Sequence, residues 1–194
     1  MFKVLSPGDA VLPCYQEIKC HLIFDIKIED FRRKTTLVAL GNLTGTPEAM
    51  TYASVVSYKS VRVALTISAL NDLEVKTADI ENAYLTSPMS ENIWTILGPE
   101  FVTDQGKRAI VVHALYGLKS DGASFRNHLA ECMQHLGWTS CISDRYVWHK
   151  TETRLSGGND YYVYVLGYVN DILVVHQYGT EPLRGIDKFF RMKK

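Results

Sequence analysis

The composition of this 194-residue chain restricts its class before any motif is considered. It is 46% hydrophobic, and 21 Lys and Arg residues are balanced by 21 Asp and Glu. This excludes a disordered chain, and the zero formal net charge excludes a global field that attracts polyanions. No apolar run reaches membrane-spanning length, and the four cysteines show neither CxxC nor zinc-type Cys/His spacing. We therefore expect an intracellular globular protein with reduced thiols, on which any nucleic-acid surface is local.

The first half of the chain predicts a hairpin, a helix and a strand. The runs at 18–28 and 35–41 are rich in apolar residues and flank the charged link EDFRRK, which predicts a β-hairpin with a basic tip. From Ser60 onwards apolar residues recur at helical spacing, with Ser60 as the expected N-cap. LEVKTAD then alternates as a strand whose inward-facing series ends in Asp79.

The second half adds further strands and two helices. Strands are predicted at 92–98, 109–115, 140–150, 161–167 and 172–178. Helical spacing predicts one helix over 120–136, with Gly137 just past its end, and a final helix over 180–192. Because strands and helices are interleaved without strict alternation, we expect an α+β fold in which helices cover a mixed sheet.

Acidic residues stand at two places in otherwise apolar strands. Asp79 ends one strand, and Asn170 with Asp171 interrupts the run YYVYVLGYVNDILVVHQY. A buried carboxylate is unfavourable without a partner, a metal or water, so the pair marks a turn or a site. If Val169 and Asn170 form a tight turn, the acids meet at one edge of the sheet, where carboxylates suit divalent ions. In the alternative, Asp79 caps the segment ENAYL and Asn170-Asp171 is an ordinary hairpin turn.

Three ordered blocks give the chain a family resemblance. ADIENAYL (78–85), LYGLK (115–119) and YVND (168–171) follow one another as similar blocks do in the reverse transcriptase of Ty1/copia-type retrotransposons. The chain resembles that family from residue 17 onwards, whereas 1–16 diverges from it. The resemblance implies the fingers and palm of a right-hand polymerase, with an antiparallel palm sheet backed by the two later helices. The thumb is expected to be missing from residues 1–194.

The same resemblance assigns catalytic roles to residues of the first and third blocks. It makes Asp79 and Asp171 ligands of Mg²⁺ and places Asn170 at the remaining catalytic position. It places Tyr84 under the sugar of the incoming nucleotide, where it excludes a 2′-hydroxyl. The alternative for Tyr84 is a core aromatic residue of a short helix.

Further nucleotide contacts are implied by the resemblance. They are assigned to Gly117 and Lys119 of the second block and to Arg32, Arg33 and Lys34 of the fingers hairpin. The competing interpretations are a strand-to-helix turn built around Gly117 and a solvated basic turn in the hairpin.

Position 170 departs from the family that the chain resembles. That family has an aspartate there, which bridges both metal ions, whereas Asn170 keeps one oxygen and loses the charge. Loss of an outer-shell partner of a metal typically costs about 10- to 100-fold in affinity, and loss of an anionic ligand is expected to cost more. We therefore expect weak Mg²⁺ binding and little polymerisation.

Three functions follow from these observations and have to be distinguished. The first is an RNA-directed DNA polymerase with an RNA template, a DNA primer and dNTP as partners, impaired in this copy. The second is a catalytically silent remnant that at most binds nucleic acid, and the third is a non-catalytic α+β interaction module. The resemblance also implies a cytoplasmic location, and an incomplete palm sheet is expected to favour self-association through its exposed edge.

Overall fold

A computed structural model of the chain describes residues 1–28, 31–45, 47, 51–154 and 157–193. The chain divides into two compact units, which are described separately. The first unit contains Met1–Tyr52 and Tyr84–Phe125, and the second contains Ala53–Ala83 and Arg126–Lys194. The fold is mixed α/β, as expected. In the part of the chain that the structure describes, no helix is long and apolar enough to cross a membrane.

The secondary structure follows the predicted order of elements closely. The strands are β1 (Phe2–Val4), β2 (Gln16–Glu17), β3 (Cys20–Ile26), β4 (Arg33–Ala39), β5 (Glu74–Asp79), β6 (Ile93–Ile96), β7 (Arg108–Val111), β8 (Thr139–Ser140), β9 (Val147–Thr153), β10 (Asp160–Tyr168) and β11 (Asp171–His176). The helices are α1 (Tyr58–Leu70), α2 (Asp121–His135) and α3 (Thr180–Asp187). Short 3-10 segments lie at Gly41–Leu43, Ala83–Thr86 and Pro99–Asp104. Each predicted strand is present with shifted bounds, except that the strand predicted at 140–150 is interrupted and forms β8 and β9.

The first unit contains a four-stranded sheet and a separate two-stranded hairpin. The four-stranded sheet has the order β1-β7-β6-β2, and its β2–β6 pair is parallel. The hairpin pairs β3 with β4, with Cys20 opposite Ala39 and Ile26 opposite Arg33. This confirms the predicted hairpin. Its base joins a buried apolar cluster comprising Ile18, Ala39, Ile93, Val111, Leu115 and Leu118.

The second unit is organised around a five-stranded antiparallel sheet with the order β5-β11-β10-β9-β8. Successive strand residues point to opposite faces, so Leu166 and Gly167 mark its two sides. Leu166 lies in one buried cluster with Ala64 of α1. On the other side, a methyl group added at Gly167 would touch Leu129 of α2 and Trp148. Helices therefore cover both faces of this sheet.

The start of α1 differs from the prediction. Ser57, not Ser60, is the N-cap, since its side chain accepts a hydrogen bond from the Ser60 amide at 3.0 Å. The Asp144 carboxylate accepts hydrogen bonds from the Ser57 amide at 2.9 Å and the Ser60 hydroxyl at 2.6 Å. Because Asp144 lies 84 residues beyond Ser60, this contact is invisible to local spacing.

The final helix is shorter than the predicted span of 180–192, because α3 ends at Asp187. The Asp187 carboxylate instead accepts a hydrogen bond from the Met192 amide at 3.0 Å. Met192 also forms an antiparallel bridge with Ile80, just beyond the end of β5. Main-chain pairing with the sheet thus replaces the last turns of the expected helix.

Candidate functional site

The two predicted catalytic acids occupy directly opposed positions on neighbouring strands. Asp79 ends β5 and lies opposite Asp171, the first residue of β11. Tyr168, the last residue of β10, lies opposite Asp171 on its other side, so the three residues form one row across the sheet. Directly opposed side chains share a face, with Cβ atoms about 4.5–5.5 Å apart. Two like charges in such a row are mutually destabilising, which favours a cation beside them.

A two-residue turn joins β10 to β11 and carries the asparagine of the YVND block. Val169 and Asn170 form this turn, which confirms the tight turn that the sequence suggested. The φ angle of Val169 is +54°, a conformation that typically costs a non-glycine residue about 1–3 kcal/mol. The Asn170 carbonyl accepts a hydrogen bond from the Ile80 amide at 2.8 Å, which fastens the turn to the end of β5. The turn therefore holds Asn170 beside both acids.

A lysine forms an ion pair with one of the two acids. The Lys193 ammonium lies 2.6 Å from Asp79 Oδ1, and the Lys193 amide donates to the Asp79 carbonyl at 2.8 Å. The Asp79 side chain is 31% exposed and that of Lys193 is 48% exposed, so water reaches the pair. Among the residues that the structure describes, no cation pairs with the exposed Asp171. The two acids of the row thus have different surroundings.

Tyr84 belongs to an aromatic cluster of the first unit. It lies in the 3-10 segment after β5 and is half-buried. Its ring centroid is 5.0 Å from that of Tyr116 and 6.1 Å from that of Phe125, and both contacts are edge-on. Such pairs contribute about 0.5–1.5 kcal/mol beyond burial. Tyr84 therefore has a packing role, and its contact with a sugar stays a prediction.

The LYGLK block forms a tight turn against the end of β4. Gly117 has φ +95°, and a methyl group there would lie 2.8 Å from Val38 Cγ1 and closer still to the Ala39 carbonyl. The Lys119 ammonium donates to the carbonyls of Thr44 at 2.7 Å and Gly45 at 3.3 Å. The strand-to-helix turn is thus present. Lys119 fixes a neighbouring loop, and this engages two of its three N–H donors.

Two acidic residues, Glu91 and Asp121, lie next to Ser120, which follows the LYGLK block. The Ser120 hydroxyl donates to the Glu91 carboxylate, and Asp121 opens α2. Burial raises the pKa of Asp121 above its ordinary value, and the nearby Glu91 charge adds to this, although the Gly122 and Gly117 amides oppose it.

The predicted basic residues lie at the far end of the hairpin. Arg32, Arg33 and Lys34 are exposed, and Lys34 lies opposite Asp25. Exposed apolar side chains accompany them, notably Phe24 at 76% and Phe31 at 81% exposure. A basic strip with exposed aromatic rings suits the backbone and bases of a nucleic acid. Parts of the predicted tip, Glu29 and Asp30, lie outside the described residues.

The predicted site residues fall into separate groups. Asp79, Asn170 and Asp171 come together in the second unit, whereas Tyr84, Gly117, Lys119 and the basic hairpin belong to the first. Within the described ranges, no cluster of three or more His, Cys, Asp or Glu side chains is gathered as a metal site. The acid row therefore supplies two carboxylates, and further oxygen ligands would come from Asn170, the main chain, a substrate or water.

Two residues of this site escaped the sequence analysis as individual participants. Tyr168 belongs to the YVND block, and the two-residue turn at Val169 and Asn170 places it directly opposite Asp171. Lys193 lies 114 residues from Asp79, and no local pattern connects them. Its only signal was the cluster of basic residues in RMKK after the final helix.

Comparison with known proteins gives consistent matches along almost the whole chain. Residues 13–193 match the family model described as reverse transcriptase (RNA-dependent DNA polymerase). The chain is 29% identical, over 88% of its length, to a retrovirus-related Pol polyprotein from transposon TNT 1-94 of Nicotiana tabacum. It is 26% identical, over 78% of its length, to one from transposon RE1 of Arabidopsis thaliana. These matches cover 13% and 10% of the two relatives, so the chain spans about a tenth of their length.

Proposed function

The chain belongs to the reverse transcriptase family, as a domain of the kind found in copia-type retrotransposon Pol polyproteins, and on this premise we propose its chemistry. The proposed reaction is RNA-directed DNA synthesis. The 3′-hydroxyl of a primer attacks the α-phosphate of a dNTP, a new phosphodiester bond forms, and pyrophosphate leaves. In this copy we propose that the reaction is severely impaired.

The direct opposition of Asp79 and Asp171 carries this proposal. The two carboxylates come from different strands, share one face and lie beside a tight turn. Like charges in such a position destabilise a sheet, so a purely structural role explains them poorly. Carboxylate oxygens from separate strands are the ligands that divalent ions require in phosphoryl and nucleotidyl transfer.

The donor set fits Mg²⁺, the ion that the family generally uses. Asp79 and Asp171 offer hard anionic oxygens, and Asn170 offers a neutral amide oxygen, all of which suit this ion. When bound, divalent ions stabilise the charge that develops on the attacking and leaving oxygens. The residues of this chain hold the ligand oxygens on a rigid sheet end, and the Asn170–Ile80 hydrogen bond fixes the turn against β5.

Residues of the first unit are proposed to select and orient the nucleotide. Tyr84 is proposed to contact the sugar, with its ring held by Tyr116 and Phe125. Arg32, Arg33 and Lys34 are proposed to contact the triphosphate, which agrees with their charge and exposure. Gly117 and Lys119 are proposed to act indirectly, because one shapes the turn and the other fixes the loop at Thr44.

The impairment is proposed to arise from the charge of the acid row. Two carboxylates and the Lys193 ammonium leave one net negative charge, and Asn170 adds none. A divalent ion binds to this set with less favourable free energy than to three carboxylates. Each negative charge that is lost removes a Coulomb attraction, which is strong at short range. Binding of Mg²⁺ is therefore expected to limit the reaction.

Single-nucleotide incorporation on a primed RNA template tests the proposal. The unaltered chain is compared with Asn170→Asp in the presence of Mg²⁺ or Mn²⁺. The double variant Asn170→Asp/Asp171→Asn is the control, because it lacks the Asp171 carboxylate of the acid row. We expect incorporation by Asn170→Asp alone. Incorporation by the unaltered chain at the same rate would show that the missing charge is unimportant.

A second candidate function is a nucleic-acid-binding domain without catalysis. The exposed basic and aromatic side chains of the β3–β4 hairpin favour it. It predicts salt-dependent binding to a primer–template and no incorporation by either the unaltered chain or Asn170→Asp. That combination of results would overturn the catalytic proposal and leave binding as the function.

A further inference from the structure

The segment Arg191–Lys193 pairs with the end of β5, beside the acid row, through one isolated β-bridge and two main-chain hydrogen bonds. The Glu81 amide donates to the Arg191 carbonyl, and the Lys193 amide donates to the Asp79 carbonyl, both at 2.8 Å. Between them, Ile80 and Met192 form an antiparallel bridge. We call this three-residue segment the strap. Its main-chain bonds hold Lys193 in register with Asp79.

Both charged side chains of the strap pair with acids of the facing segment. Arg191 Nε lies 2.9 Å from Glu81, and Lys193 Nζ lies 2.6 Å from Asp79. Only the second pair involves an acid of the row, since Glu81 is two residues beyond Asp79. The Lys193 ammonium therefore occupies an oxygen of the carboxylate that the proposed function assigns to a divalent ion.

We propose that Lys193 is an internal competitor for divalent ions at Asp79. Its ammonium relieves the repulsion between the opposed carboxylates when no ion is bound, and it has to leave Asp79 Oδ1 before that oxygen binds an ion. The inference rests on the proposed function, because it concerns the affinity of the same site. It adds a residue that sets this affinity and links ion binding to release of the strap side chain.

The exposure of the Lys193–Asp79 ion pair determines how much loss of the ammonium should change the affinity for a divalent ion. Both side chains are partly in water, so the pair is in the range of exposed ion pairs rather than buried ones. Removing the ammonium is therefore expected to tighten ion binding by about 1.5- to 5-fold. By reciprocity, a bound ion should free the Lys193 amine to the same extent.

Binding of Mn²⁺, followed by the EPR signal of the free ion, tests the first half of the proposal without substrate. The parent for all variants is Asn170→Asp, which carries the stronger site. Lys193→Met is expected to tighten binding by the stated factor, whereas Lys193→Arg keeps the charge and should stay near the parent. Arg191→Met is the matched control, because it removes a strap charge that pairs only with Glu81. Equal effects of Lys193→Met and Arg191→Met would overturn the proposal, since they would reveal only a general charge effect.

Acetylation of Lys193 by acetic anhydride, measured by mass spectrometry, tests the second half. The rate at Lys193 should rise when Mg²⁺ is added, while the rate at exposed Lys59 should not change. An unchanged Lys193 rate with demonstrable ion binding would refute the competition and leave the proposed function intact. No ion binding by Asn170→Asp, with or without Lys193, would instead refute the metal site itself.

Discussion

Substitution of Gly117 by alanine should destabilise the first unit strongly. Backbone strain and steric contact both contribute, and substitutions of two other glycines separate the two effects. At φ +95°, any side chain is strained, by about 1–2 kcal/mol. The added methyl group would also lie 2.8 Å from Val38 Cγ1 and nearer to the Ala39 carbonyl, which is main chain and moves only if the strand end moves. Overpacking of this kind typically costs about 1–3 kcal/mol.

Alanine restricts the unfolded chain more than glycine does, which returns about 0.4–1 kcal/mol. Together these contributions predict that Gly117→Ala lowers the free energy of unfolding by about 1–5 kcal/mol. Gly106 isolates the strain, because it has φ +78° and no atom within 4 Å of an added methyl group. Gly41 isolates the steric contact, because its methyl group would meet Leu118 Cα at 3.0 Å and the Gly117 carbonyl without a left-handed φ.

Urea unfolding at low protein concentration measures all three variants against the unaltered chain. We expect Gly106→Ala to cost about 1 kcal/mol or less, Gly41→Ala about 1–2 kcal/mol, and Gly117→Ala more than either. If Gly117→Ala costs no more than Gly106→Ala, the close approach of this turn to β4 is wrong. In that case the glycine of the LYGLK block is better explained by a contact with substrate alone.

Two further predictions concern the second unit. Asp144→Asn should lower the free energy of unfolding by about 1–2 kcal/mol at pH 7, since an amide cannot accept the hydrogen bonds from Ser57, Ser60 and Tyr146 together. Burial opposes ionisation of Asp144, but these hydrogen bonds hold its pKa below the ordinary value. The unaltered chain should therefore exceed Asp144→Asn in free energy of unfolding by the full amount above about pH 4, and by less as the pH falls through the lower folded-state pKa. Urea unfolding at pH 7 and pH 3 measures this difference. The same difference at both pH values would contradict the prediction. Val169→Gly should raise the free energy of unfolding by about 0.5–1 kcal/mol, because relief of the strain at φ +54° exceeds the added flexibility of the unfolded chain. Thermal unfolding compares it with Val165→Gly, a buried strand position that should be destabilised, and a lower melting temperature for Val169→Gly would show that the turn is unstrained.

The order of elements was predictable because local patterns carry it. Alternating apolar residues identified the hairpin, the strand ending at Asp79 and the β10–β11 pair, and helical spacing identified α1 and α2. The glycine just past α2 was also correct, since Gly137 has φ +80°. These features depend on neighbours a few residues apart, which a sequence displays directly.

The candidate site was only partly predictable for the same reason. The YVND turn and its two flanking strands follow from the sequence, so the proximity of Asp79 and Asp171 could be anticipated once a tight turn was assumed. Their register could not, because a slip of one residue would place the two acids on opposite faces. The second unit resolves this choice through Leu173 and Val175 of β11, which lie in one apolar cluster with Ala64 of α1.

Composition, periodicity and block order were sufficient to predict most of the strands, the hairpins, the family and the residue types at the acid row. Only long-range contacts set Ser57 as the N-cap of α1, ended α3 at Asp187 and brought Lys193 to Asp79. Each of these outcomes depends on a hydrogen bond or ion pair between groups far apart in the chain. Such contacts gain their energy only after the sheet has brought the partners together, so no local pattern encodes them.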